Sequence, residues 1–277
     1  MNQPQDLQSF LLTVLDVFVS IKETLLYDQK TGMKSLGNNP LNQFGRKCFS
    51  QTDEDGITLE IIKRLGIDKG FFIEFGVQGG LETNTLILAA LKWRGFWVGN
   101  EELSFNYQPT KRFQYVRDWV TLENILGIVR YGLDKFNQKE VDVVSMDLDG
   151  NDIYFIRKLL ENNILPKLFI AEYNAKFPPP VEFKIKYDPN HTWRFDDYFG
   201  ASLTSLNDLF TEFGYQLVCC NSYTGANAFF VKKEFMSAFE DVPKDIADIY
   251  IEPRYDVPKQ LGHPASTKVV ETIIEDL

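Results

Sequence analysis

Carboxylates recur where short apolar runs end. Glu74 closes Phe71-Phe72-Ile73, Asp147 and Asp149 follow Val141 to Met146, and Glu172 follows Leu168-Phe169-Ile170-Ala171. Runs of this kind read as strands buried on both faces of a parallel sheet, and the carboxyl ends of such strands are where ligands bind. A charge placed there needs a partner. Glu74 is followed at once by Gly76, Gly79 and Gly80, which allow a sharp turn or the close approach of a ligand. The order Gly76-Val77-Gln78-Gly79-Gly80 does not fit the Gly-x-Gly-x-x-Gly that seats a pyrophosphate on a helix N-terminus. An acid just before the first glycine repels a pyrophosphate and attracts an ammonium or sulfonium, and S-adenosylmethionine is such a ligand. The competing reading is an ordinary strand-to-helix turn in which backbone donors satisfy Glu74.

The other candidates follow the same logic. Asn84 stands at the start of the helix after the glycine turn, within the N-cap candidates Glu82, Thr83 and Asn84. Glu101 lies about 25 residues beyond Gly76, near the spacing at which an acid ending the second strand accepts hydrogen bonds from ribose hydroxyls. Asp147 and Asp149, two residues apart, are expected on one side, where they would share a metal, a substrate hydroxyl or a general-base role. Asp149-Gly150-Asn151-Asp152 reads equally well as a turn and helix cap. Asn151, Glu172 and Asn174 are the candidates for holding an acceptor. His191, in a long loop, is with Asp149 the candidate base, although a loop histidine is more often simply exposed. A divalent ion held by Asp147, Asp149 and Glu172 is a less favoured variant, and the leading assignment has no metal.

The elements that must position these residues alternate strand and helix. Candidate strands are Phe71 to Ile73, Phe96 to Gly99, Phe113 to Val120, Asp142 to Met146, Leu168 to Ala171, Tyr215 to Cys220 and Ala228 to Val231. Candidate helices start after Asp53 or Thr52, which would cap Glu54 to Leu65, and include Leu86 to Leu91, Ile125 to Leu133, Ile153 to Leu160 and Ser202 to Phe213. This predicts an α/β fold with a mostly parallel sheet. Pro178 to Pro180 open an irregular insertion running to Trp193, of the kind that shapes a substrate pocket. Residues 1–48 are expected as an N-terminal extension, with an amphipathic helix from Leu7 to Leu25 that packs on the domain or pairs two copies as a homodimer. A loop from Asp28 to Phe49 is a candidate lid. Residues 49–235 form the main domain and 236–277 a tail.

Composition narrows the partners. The chain has 277 residues, 44% of them apolar, a net charge of -10 and a pI near 4.8. That charge argues against nucleic acid, whose phosphates call for clustered Lys and Arg, and leaves a small-molecule or carbohydrate acceptor. The amphipathic N-terminal stretch is broken by charges and reads as neither a membrane span nor a signal peptide. Cys48, Cys219 and Cys220 have neither disulfide nor zinc spacing and are expected as reduced thiols in a cytoplasmic protein.

Taken together, FSQTDEDG, FIEFGVQGG with Asn84-Thr85, Trp93-Arg94-Gly95-Phe96-Trp97, Val120-Thr121-Leu122-Glu123-Asn124, VDVVSMDLDGND, AEYN, YFGASLTSL and NAFFV resemble the FkbM-type methyltransferases over about residues 49–232. The resemblance implies a Rossmann-like fold with a seven-stranded sheet whose last strand is antiparallel, helices on both faces, S-adenosylmethionine as methyl donor, and usually O-methylation of a sugar or polyketide-like acceptor. Cofactor residues would then be Glu74, Gly76, Gly79, Gly80, Asn84, Glu101 and Asp147. Two positions depart from the pattern: Gln78 replaces the middle glycine, and Gly99 stands where many members carry the ribose acid, so that Glu101 or Glu102 must substitute. A catalytically inactive ligand-binding or scaffold protein of the same fold is the alternative.

Overall fold

The structure is a computed structural model that describes residues 39–253 and 265–275, together with Leu15 and Val17. Leu15 and Val17 are helical and exposed. The remainder of the expected N-terminal helix, its role in pairing two copies, and residues 28–38 of the expected lid lie outside the described residues.

Seven strands form one sheet: β1 (Phe71–Phe75), β2 (Arg94–Gly99), β3 (Phe113–Arg117), β4 (Val143–Met146), β5 (Leu168–Glu172), β6 (Tyr215–Cys220) and β7 (Asn227–Lys232). Their order is β3-β2-β1-β4-β5-β7-β6, with β1 to β5 parallel and β7 antiparallel to both neighbours. This is a mostly parallel, Rossmann-like sheet whose last strand in chain order is antiparallel. β1 and β4 are buried along their whole lengths, which is why they read as continuous apolar runs rather than alternating ones. The chain steps outward from β1 to β2 and β3, then returns to β4 on the other side. A topological switch point therefore lies between the carboxyl ends of β1 and β4.

The helices are α1 (Glu54–Arg64), α2 (Leu86–Ala90), α3 (Ile125–Lys135), α4 (Asp152–Glu161), α5 (Leu203–Glu212), α6 (Ile246–Ile249) and α7 (Thr267–Glu275). Right-handed crossovers put α2 on one face and α3, α4 and α5 on the other. In agreement, α3, α4 and α5 pack side by side, while α7 packs on α2 through the buried Val270 and Ile274. Both ends of the described chain thus share the main core. No helix among the described residues is long and apolar enough to cross a membrane.

Three local expectations change. β3 stops at Arg117, releasing Asp118 to Val120 from the strand. Residues 39–44 are not a lid: Asn39 Nδ2 donates to the Val218 carbonyl at 2.7 Å and Asn42 Nδ2 to the Cys220 carbonyl at 2.8 Å, tying a buried 3-10 turn against β6. Asp53 occupies the N-cap position of α1 without capping it, because its carboxylate accepts from Ser222 N at 3.0 Å and Ser222 Oγ at 2.5 Å in the turn between β6 and β7. All three cysteines are free thiols.

Candidate active site

A cavity of about 1000 Å³ opens at the carboxyl ends of the parallel strands. Gly76 and Gln78 line it after β1, Gly99 and Glu101 at the end of β2, and Asp118, Trp119 and Val120 after β3. Asp147, Asp149 and Asn151 follow β4, and Glu172 and Asn174 end β5. The irregular insertion, with His191 and Trp193, and the residues just after it, Phe195, Asp196, Asp197 and Phe199, complete the wall. Among the described residues, eight Asp and Glu side chains line this space against a single lysine, Lys176, which is ion-paired with Asp197. The cavity therefore favours cations and rejects phosphates.

The glycine turn works differently from the sequence expectation. Glu74 lies inside β1 and does not line the cavity. Its Oε1 accepts from Asn84 N at 2.7 Å, and its Oε2 from Thr85 N at 2.9 Å and Thr85 Oγ1 at 2.5 Å. Its carboxylate thus accepts from the backbone N–H groups at the start of α2, which has no side-chain cap of its own. Burial pushes its pKa up to about 7. Asn84 also faces inward, with Nδ2 donating to Ser145 Oγ at 3.1 Å. Gly80 adopts φ +76, and a Cβ on it would meet Leu103, Phe105 and Trp97 at about 3 Å, so packing demands this glycine; a Cβ on Gly79 would meet Ser104 Oγ. Of the residues assigned to the cofactor, Gly76, Glu101 and Asp147 line the cavity, while Glu74, Gly79, Gly80 and Asn84 build the turn behind it. Gly76 itself takes φ +90, and a Cβ there would overlap the Asp147 carbonyl oxygen. Glu102 instead pairs with Arg117 at 2.9 Å.

On the other side of the switch point, Asp147, Asp149 and Glu172 come together, with one carboxylate oxygen of each lying within 4.8 Å of the others. β4 has ended before Asp147 and Asp149 takes φ +55, so a turn creates this proximity rather than the strand pleat. Burial first, then repulsion from neighbouring acids, Asp149 and Asp152 among them, holds Asp147 and Glu172 well above the ordinary carboxylate range. Asp152 closes the turn, accepting from Leu148 N at 2.8 Å and Gly150 N at 2.9 Å.

Asn151 and Asn174 line the cavity, yet their amides are engaged by the protein. Asn151 Nδ2 donates to the Asp188 carbonyl at 2.7 Å and Oδ1 accepts from Asp188 N at 3.2 Å. Asn174 Nδ2 donates to the carbonyls of Asp197 at 2.9 Å and Phe199 at 3.1 Å. Both therefore act as clamps on the insertion, in place of the acceptor contacts expected of them. The first clamp holds the loop that carries His191. The imidazole edge of His191 lies against Gly150, beside the acid cluster, and its Nε2 is buried with no hydrogen-bond partner.

The sequence reading missed Gln78 as a lining residue, along with Asp118, Trp119, Trp193 and Thr224. The first two follow strand ends directly, which is the available signal; the others reach the cavity through tertiary contacts, such as Trp119 Nε1 donating to the Pro189 carbonyl at 2.8 Å.

No family model and no curated protein matches the chain. Among solved structures, it is similar to a putative ribosomal RNA methyltransferase from Plasmodium falciparum, with 11% identity, TM-score 0.38, and 66% of this chain and 97% of that one covered. A putative hemolysin from Lactococcus lactis aligns with 11% identity and TM-score 0.40 over 79% of this chain and 93% of that one. A glycopeptide N-methyltransferase complexed with S-adenosyl-L-homocysteine gives 15% identity and TM-score 0.36 over 69% and 95%.

Proposed function

We propose that this protein is an S-adenosylmethionine-dependent methyltransferase that methylates a hydroxyl of a sugar or another small hydroxylated acceptor. The observation that carries the reading is the acidic cavity at the switch point of a methyltransferase-type sheet, bounded by a β1 turn that does not fit a pyrophosphate. The ordered run of short motifs resembling FkbM-type enzymes supports it. When bound, the cofactor supplies an electrophilic methyl group on a sulfonium whose charge suits the acidic lining.

Gly76 keeps the floor of the cavity open. Glu101, at the end of β2, is placed to accept hydrogen bonds from a ribose diol in place of Gly99, and Asp118 with Val120 offers an acceptor and an apolar wall to a nucleoside base. Asp147, which lines the cavity just past β4, is assigned to the cofactor side. Trp119, Trp193 and Phe195 present aromatic surface on which a sugar ring can lie. Methylation of a hydroxyl would release its proton, which a residue of this chain would have to take up. His191 Nε2 or Asp149 is the group assigned to receive that proton. The protein's main work is alignment, because in-line transfer depends on donor and acceptor being held in contact.

The test is methyl transfer from isotopically labelled S-adenosylmethionine to a panel of sugars and polyols, followed by mass spectrometry, in wild type, His191→Ala and Asp149→Asn. A labelled methyl ether formed by wild type, with single-turnover rates reduced at least tenfold in one of the variants, is expected. Unchanged rates in both variants would remove these residues from the mechanism.

A further inference from the structure

Gln78 stands in a backbone conformation that suits glycine. Its φ is +45, in the left-handed region that a long side chain rarely occupies. It is exposed and lines the cavity just past β1, between Val77 and Gly79. Its side-chain amide makes no hydrogen bond to any described residue, so the turn itself gains nothing from it. Strain of this kind is kept where function uses it. The wall around Gln78 is short of donors for an anion. Lys176, the cavity's one lysine or arginine among the described residues, is ion-paired with Asp197. In the turn, Gly76 N donates to the Val98 carbonyl at 2.9 Å and Gly80 N to the Val77 carbonyl at 2.8 Å. The amides of Asn151 and Asn174 donate to the backbone at Asp188 and Asp197.

We propose that the side-chain amide of Gln78 binds the carboxylate of S-adenosylmethionine. The role rests on the methyltransferase reading and answers a difficulty which that reading creates. The cofactor's sulfonium and ammonium suit an acidic wall, but its carboxylate is repelled by one. A neutral amide N–H donates to a carboxylate without adding a positive charge that would repel the sulfonium, and a hydrogen bond to a charged acceptor is stronger than one between neutral groups. Glu101, at the end of β2, is assigned to the ribose, so the donor after β1 is left for the other end of the molecule. A glycine at position 78 would relax the turn and lose that donor.

The experiment is isothermal titration calorimetry of the full chain with S-adenosylmethionine and with its decarboxylated form, which keeps the sulfonium and the ammonium, in wild type, Gln78→Gly, Gln78→Glu and Lys176→Met. S-adenosylmethionine should bind about tenfold more weakly to Gln78→Gly, and more weakly still to Gln78→Glu, whose new carboxylate repels the ligand's own. The decarboxylated form should bind wild type and Gln78→Gly alike, and Gln78→Glu at least as tightly. Gln78→Gly should melt no lower than wild type, because glycine adopts φ +45 without a Cβ penalty. Equal affinity of wild type and Gln78→Gly for S-adenosylmethionine, or an equal loss for both ligands, overturns the role and leaves the methyltransferase reading in place. A loss confined to Lys176→Met gives the carboxylate to Lys176 and overturns the role as well. A wild type that binds neither form removes the methyltransferase reading, and this role with it.

Discussion

Replacing Gly76 by alanine separates two reasons for a glycine. At Gly66, φ is +65 and a Cβ would meet nothing within 4 Å, so Gly66→Ala isolates the cost of a left-handed backbone, about 1 kcal/mol. At Gly76, φ is +90 and the new Cβ would overlap the carbonyl oxygen of Asp147, the residue just past the neighbouring strand β4. Relief requires that the ends of β1 and β4 separate, and overpacking of this kind costs about 1–3 kcal/mol or more beyond the backbone term. The total for Gly76→Ala is therefore about 2–4 kcal/mol or more. Urea unfolding of the two variants beside wild type reads the difference directly. The separation would also displace Asp147, so any surviving folded Gly76→Ala should bind S-adenosylmethionine at least tenfold more weakly while Gly66→Ala binds normally. A Gly76→Ala protein as stable as Gly66→Ala, with unchanged binding, would refute the claim that the β1–β4 contact sets the floor of the crevice.

Two further outcomes follow from the buried acids and the clamps. Burial raises both Glu54 and Glu74 to about 7, so below that pH the folded chain holds protons the unfolded chain has lost, and stability should fall as pH rises through 7. Lowering the pH from about 8 to about 5.5 should add about 2 kcal/mol per group, read as a rising urea midpoint; a flat or inverted profile would contradict it. Asn151→Ala releases the insertion from α4, so methyl transfer should drop at least tenfold with S-adenosylmethionine affinity unchanged, and limited proteolysis should cut near residue 188 faster than in wild type.

The strands were legible because burial on both faces leaves runs such as Phe71 to Ile73 and Leu168 to Ala171 almost free of polar residues. The seven-stranded sheet with an antiparallel last strand came from the family resemblance, and the order of the strands was not read at all, since periodicity alone does not set neighbours. The site was legible only as residue types. Glu74, Asn151 and Asn174 were seen as polar groups near strand ends, but what each one bonds is set by contacts 10, 37 and 23 residues away in sequence. The run Thr52-Asp53-Glu54-Asp55 read as a helix start; in the fold all four are fully buried. Asp55 Oδ2 gathers the amides of Cys48, Phe49 and Ser50 at 2.6–2.8 Å, while Asp53 holds the turn at Ser222. Those partners lie in irregular segments whose approach no local pattern announces. That β4 and β5 are adjacent parallel strands brings Glu172 near the end of β4, but the turn that carries Asp149 to it, at φ +55, is announced by no local pattern.

The central claim is that the crevice at the ends of β1, β2 and β4 receives a sulfonium nucleoside. Equilibrium dialysis of the purified full chain against labelled S-adenosylmethionine tests it most directly. One molecule bound per chain, displaced by S-adenosylhomocysteine and not by NAD, is the predicted result. A folded protein that retains no label, or that releases it to NAD as readily as to S-adenosylhomocysteine, would contradict it.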